Sequence, residues 1–150
     1  MNILEIDLLV NVENVATFLP QQEPFIMVDS LLATTENTAI SQFLVKSDNV
    51  LVNDGILQES GLIENIAQTI ALKAGYESVL RNEKPQIGFI VQIKEISIFD
   101  FPKVSEIITT KIEIMMQLPQ MLVIKGESFA DEKNLMVCEM RVFLDNPTKA

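Results

Sequence analysis

The chain has 150 residues, the size of one domain, with 48% apolar and 21% charged residues, an ordinary globular balance. Its formal net charge of −10, from 21 acidic against 11 basic residues, makes nucleic acid a poor partner, and its lack of any histidine excludes a Ser-His-Asp triad, a Cys-His pair and an imidazole metal ligand. No apolar run reaches the length of a membrane span, the N-terminus shows no signal-peptide pattern, and one cysteine makes no internal disulfide, so a reducing, cytoplasmic setting is expected.

Residues 1–18 end in a short helical candidate, with Asn11 or Asn14 as its N-cap. Pro20 and Pro24 then impose an extended lead-in, and Phe25 to Thr34 reads as a strand. Thr38 to Lys46 is its hairpin partner across Glu36-Asn37. Residues 47–55 are polar and contain the turn signal Asn53-Asp54-Gly55. From Ile56 to about Leu80 the pattern is helical: Ile56, Ser60, Ile63, Ala67, Ile70 and Ala74 form one stripe at 3.6-residue spacing. Leu62, Ile66 and Leu72 broaden the apolar surface, so the helix is expected to be mostly buried, and Pro85 bars its continuation.

After Pro85 four strand candidates follow: Gln86–Ile98, Val104–Leu118, Gln120–Ala130 and Leu135–Leu144. Phe101-Pro102, Leu118-Pro119 and Asp131-Glu132-Lys133-Asn134 mark the turns. Adjacent, tightly joined runs are expected to pair antiparallel. The architecture is therefore one α+β domain, residues 1–150, with a six-stranded antiparallel sheet wrapped around one long helix. One helix leaves sheet edge and helix flank uncovered, so a dimer or larger homo-oligomer is expected. The five scattered glycines form no phosphate loop, and neither cofactor nor metal is expected.

Glu64 stands between Ile63 and Ile66 in the apolar helix. A buried carboxylate there is costly unless paired, and desolvation raises its pKa toward the range of a general acid; the alternative is a glutamate that favours the helix dipole and reaches solvent or a partner chain. Gln68 lies one turn on, on the same face. Gly55 and Gly61 either admit a carbonyl to backbone N–H groups at the helix start or serve a turn and a close helix–sheet contact. Asp54 and Asp48 read first as turn or cap residues. Cys138 alternates with core residues, and Met115, Met116 and Met121 read as core or as tunnel lining. Arg81, Lys84, Lys94 and Lys103 are the candidates for a basic docking patch.

Residues 19–32, Leu-Pro-Gln-Gln-Glu-Pro-Phe-Ile-Met-Val-Asp-Ser-Leu-Leu, followed by Gly61-Leu62-Ile63-Glu64-Asn65-Ile66-Ala67-Gln68 and by Gly88-Phe89, resemble the β-hydroxyacyl-thioester dehydratases of the hotdog fold. The resemblance covers roughly residues 15–145. It implies dehydration of 3-hydroxyacyl thioesters carried by acyl carrier protein, with Glu64 as the acid and Gln68 orienting carboxylate or substrate. It places Gly55, Gly61, Asp54, Gly88 and Phe89 around the substrate. It also implies a histidine upstream of the helix carboxylate; counted without gaps that position is Val50, with Ser47, Asp48, Asn49, Asn53 and Asp54 nearby, none of them an imidazole. Two further readings stay open: a degenerate subunit that binds acyl chains or completes the site of a partner hotdog subunit, and a hotdog thioesterase.

Overall fold

The computed structural model describes residues 8–84 and 86–145. A 3-10 turn at Val15–Phe18 leads into strands β1 (Ser30–Thr34) and β2 (Thr38–Leu44). A two-stranded hairpin, β3 (Val52–Asn53) and β4 (Ile56–Leu57), precedes helix α1 (Glu59–Leu80). Strands β5 (Ile87–Ile98), β6 (Ile107–Leu118), β7 (Met121–Ala130) and β8 (Lys133–Asp145) complete the chain. The six long strands form one antiparallel sheet in the order β1-β2-β6-β7-β8-β5 around the single long helix, which is the hotdog fold.

Four expectations need correction. The first strand begins at Ser30 rather than Phe25, because the backbone of residues 25–27 hydrogen-bonds to side chains of α1 instead of to a strand. The helix begins at Glu59 rather than Ile56. Asp54 and Gly55, with φ of 53° and 73°, make the tight turn that turns Ile56–Leu57 back into a strand. The helix stops at Leu80 through a left-handed Asn82, whose N–H donates to Val79 O while Glu83 N–H donates to Ser78 O. The expected stop at Pro85 lies outside the described residues, as do residues 1–7.

The third correction concerns pairing. β5 does not pair with β6; it runs beside β8 at the sheet edge, and β6 pairs with β2. The segment 99–106 makes this crossing across the end of the sheet next to the helix start. It ties down there through Leu57 N–H to Pro102 O, Val104 N–H to Gly55 O and Ser105 N–H to Val45 O. The fourth concerns α1. Its sheet-facing side carries Leu62, Asn65, Ile66, Thr69, Leu72 and Lys73, all buried. The apolar stripe of Ile63, Ala67 and Ile70 is half-buried, and Ser60 and Ala74 are exposed.

Polar residues face the sheet because each finds a partner there. Asn65 Nδ2 donates to Met27 O at 2.7 Å and its Oδ1 accepts from Thr110 Oγ1. The Thr69 hydroxyl lies 2.8 Å from Asn65 O and 2.6 Å from Ser41 Oγ. Lys73 Nζ donates to Glu36 O and forms an ion pair with Glu77. Two glycines set how close the helix lies: a Cβ on Gly126 of β7 would stand 2.5 Å from Ile66 Cγ2, and one on Gly75 would collide with Phe18 O. Cys138 is core, and burial pushes its thiol up to about 11.

Candidate active site

Asn65 and Gln68 of α1, the lead-in at residues 25–27 and the loop 46–51 converge on Met27. Its backbone N–H donates to Gln68 Oε1 at 2.6 Å, and its carbonyl accepts from Asn65. The Asn49 amide reaches its sulfur at 3.3 Å. The Gln68 side chain is therefore fixed in orientation. Its oxygen is committed to an N–H donor, so its NH₂ must point the other way. That NH₂ donates to Phe25 O at 2.9 Å and to Glu64 Oε2 at 3.0 Å. A buried amide thus holds one oxygen of the helix carboxylate, and the other has no partner among the described residues.

Glu64 is exposed on the single chain, not enclosed among apolar residues as its neighbours in sequence suggest. The helix turns Ile63 only half inward and points Glu64 away from its own sheet. Any apolar surroundings for this carboxylate must come from whatever covers the outer flank of α1. Phe25, 61% exposed, and Val50, 47% exposed, are uncovered apolar residues from the two segments that join Glu64's support at Met27.

The other expected residues divide. Asp54 and Gly55 form the exposed hairpin tip before α1, and Gly55 O accepts from Val104 N–H. Gly61 N–H is already given to Gln58 O at 2.9 Å, so it is not free for a substrate carbonyl. A Cβ there would meet Leu57 Cδ1 at 2.5 Å, so this glycine lets the helix start close against β4. Gly88 faces Val142 and Leu144 on the inner side of the sheet. Phe89 pairs with Phe143 on the opposite side, away from the helix. Within one chain neither is brought to Glu64, because α1 packs mainly on β1, β2, β6 and β7 while β5 is the far edge strand.

Met115 and Met116 are not core but more than half exposed, the first expelled by an irregularity in the β6–β7 register between Ile114 and Met116. The basic residues do not form one patch. Lys103 bridges to Ile56 at the helix start and Arg81 caps the helix end, about 33 Å away along a helix of this length. Lys94 is paired with Glu139 at 3.3 Å. Among the described residues no cluster of acidic or cysteine side chains is arranged to hold a metal, and no helix is long and apolar enough to cross a membrane.

Sequence reasoning missed Asn65 and Asp29. Asn65 was hidden because it lies among apolar residues and its partners come from distant strands. Asp29 accepts from Leu44 N–H at 2.7 Å, and burial nonetheless raises its pKa. The Val-Asp pair at 28–29 was its only signal.

A family model for ApeP-like dehydratases matches residues 13–150. The chain belongs to the ApeP-like dehydratase family. No curated protein sequence matches it. Among solved structures it resembles a chain of the dehydratase heterocomplex ApeI:P from Xenorhabdus doucetiae, with 20% identity, 90% of this chain and 93% of that chain covered, and a TM-score of 0.79. It also resembles a hypothetical thioesterase with coenzyme A from Streptococcus pneumoniae (14% identity, 77% and 84% covered, TM-score 0.64). A third is the PaaI protein of the E. coli phenylacetic acid degradation operon (11% identity, 75% and 80% covered, TM-score 0.62). These likenesses agree on the hotdog fold, and the family model adds the dehydratase branch.

Proposed function

We propose that this chain is an acyl-thioester-binding dehydratase subunit that supplies the acid of the reaction, Glu64, and takes the base from a second, histidine-bearing hotdog subunit. The observation that carries this is a carboxylate held by a fully buried amide in a chain that has no histidine. In the reaction a base removes the proton next to the thioester carbonyl, Glu64 protonates the departing 3-hydroxyl, and water leaves an enoyl thioester. A base poised near pH 7 is the natural partner for that proton. Position 50 offers a valine, and the nearby Asp48 and Asp54 are exposed turn residues. A chain of similar fold comes from a dehydratase heterocomplex, which favours a mixed assembly over a homo-oligomer as the working form. The substrate carrier we assign is acyl carrier protein.

The test is to titrate a non-hydrolysable 3-hydroxyacyl thioester analogue into the pure chain and to assay dehydration with and without a histidine-bearing hotdog protein. The proposal expects binding by the pure chain, turnover in the mixture above the sum of the separate proteins, and loss of that excess with Glu64→Gln. Acyl-thioester hydrolysis by the pure chain, lost in Glu64→Gln, would instead make it a thioesterase.

A further inference from the structure

Strand register places side chains in rows across the sheet face that α1 leaves open. At the end near the β6–β7 turn one row reads Phe89 on β5, Phe143 on β8, Met121 on β7 and Leu118 on β6. The next reads Gln92, Arg141, Val123 and Met116 in the same strand order. Phe89, Phe143, Met116 and Leu118 are 52%, 39%, 53% and 47% exposed. Single exposed apolar residues are normal, whereas a contiguous patch framed by charge marks a contact surface. Arg141 lies within it with its Nε buried and without an acceptor, and it makes no ion pair among the described residues.

The third row reads Lys94, Glu139, Lys125 and Glu113, again on β5, β8, β7 and β6. Its signs alternate, and this gives the face a symmetry. Turn a copy by half a revolution about an axis parallel to the strands and midway between β8 and β7, and lay the two open faces together. β5 then faces β6 of the copy, and β8 faces β7. Lys94 meets Glu113 of the copy, and Glu139 meets Lys125: a row of four alternating charges is its own complement under that rotation. Phe89 meets Leu118 and Phe143 meets Met121, so apolar meets apolar. In the middle row Arg141 faces Val123 of the copy and Gln92 faces Met116, one row away from the copy's Glu139.

We propose that two copies of this chain pack back to back through this face, as two aligned sheets about 10 Å apart. The contact is independent of Glu64 and of the proposed chemistry. It leaves the outer flank of α1 and the edge of β5 free for other partners.

Two measurements test it. First, a Lys94→Cys chain and a Glu113→Cys chain are treated with a short bis-maleimide, separately and mixed. The native Cys138 is buried with its thiol pushed up to about 11, so it stays silent. The mixture is expected to yield a covalent dimer. Each chain alone is not, because equivalent positions lie about three strand spacings apart sideways and about 10 Å apart between the sheets, roughly 17 Å in all. No dimer in the mixture, or equal yield from either chain alone, would overturn the proposal. Second, Phe143→Lys and Leu118→Lys, both at exposed positions, are expected to halve the mass by sedimentation equilibrium while keeping the native far-UV spectrum. A folded variant pair with unchanged mass would also overturn it.

Discussion

Two segments converge on Met27, and they are built unequally. On the α1 side, Glu64 is held by Gln68, Gln68 is held by the backbone of residues 25–27, and Asn65 and Thr110 hold Met27 in turn. On the loop side, residues 48–55 present an exposed valine, an exposed Asp48 and a turn at Asp54-Gly55. The loop's own Asn49 is spent on Leu51 N–H and on the sulfur of Met27. Under the proposed function, one half of an acid–base pair is thus supported down to the sheet, while the loop supplies no imidazole for the other half. Burying Asn65, Gln68 and Thr69 under the helix is costly unless every polar atom is paired. A core needing only packing density could use leucine there. The support of a surface carboxylate is a reason for the polar choice.

The largest test of this contrast is Asn65→Ala. It opens a cavity and strips partners from Met27 O and Thr110 in a fully buried place, so a loss of about 3 kcal/mol in urea unfolding is expected. Gln68→Leu keeps the volume but orphans Met27 N–H and Phe25 O. About 2 kcal/mol is expected, together with weaker thioester binding in a titration. A loss under about 0.5 kcal/mol for either variant would mean that the network does not support the site.

On the loop side the effect is smaller and depends on pH. Glu106 caps the segment that ties down the β3–β4 hairpin. The Lys103 backbone N–H, and then the Lys133 ammonium, hold its carboxylate below the usual range. A folded-state pKa below the unfolded one contributes stability above the unfolded value, and that contribution is lost as pH falls through the folded one. Thermal melts of the chain and of Glu106→Gln should therefore differ at neutral pH and converge in acid. The smallest expected effect is on the carboxylate itself. Glu64→Gln, at an exposed position, should change unfolding free energy by less than about 0.5 kcal/mol. A neutral melt alongside lost function separates the residue from its support.

Much of this arrangement was legible in the sequence. The long helix and the six long strands follow from periodicity and from the turn signals at Glu36-Asn37 and Asp131–Asn134. The pairing of β5 with β8 was not, because local turn chemistry says nothing about a segment such as 99–106 that crosses to another strand. The inner face of α1 was misread because hydropathy ranks Ile63 and Ile70 above Asn65 and Thr69. Only Ser41, Thr110 and Met27, distant in sequence, reverse that order. Met116 was misplaced for a related reason. The register irregularity between Ile114 and Met116 shifts which side chains share a face. Glu64 was legible as a position but not in its surroundings, since among the described residues nothing encloses the carboxylate.

The central claim, that this chain holds only the acid half of a dehydration site, is tested most directly by turnover of a 3-hydroxyacyl thioester by the pure protein. General acid–base catalysis is worth roughly 10²–10⁴-fold per positioned group. The pure chain should accordingly fall short of the mixture with a histidine-bearing hotdog subunit by at least about 10²-fold. Robust dehydration by the pure homo-oligomer, abolished by Glu64→Gln and by Asp54→Asn, would contradict it and show that a carboxylate of the hairpin tip serves as the base.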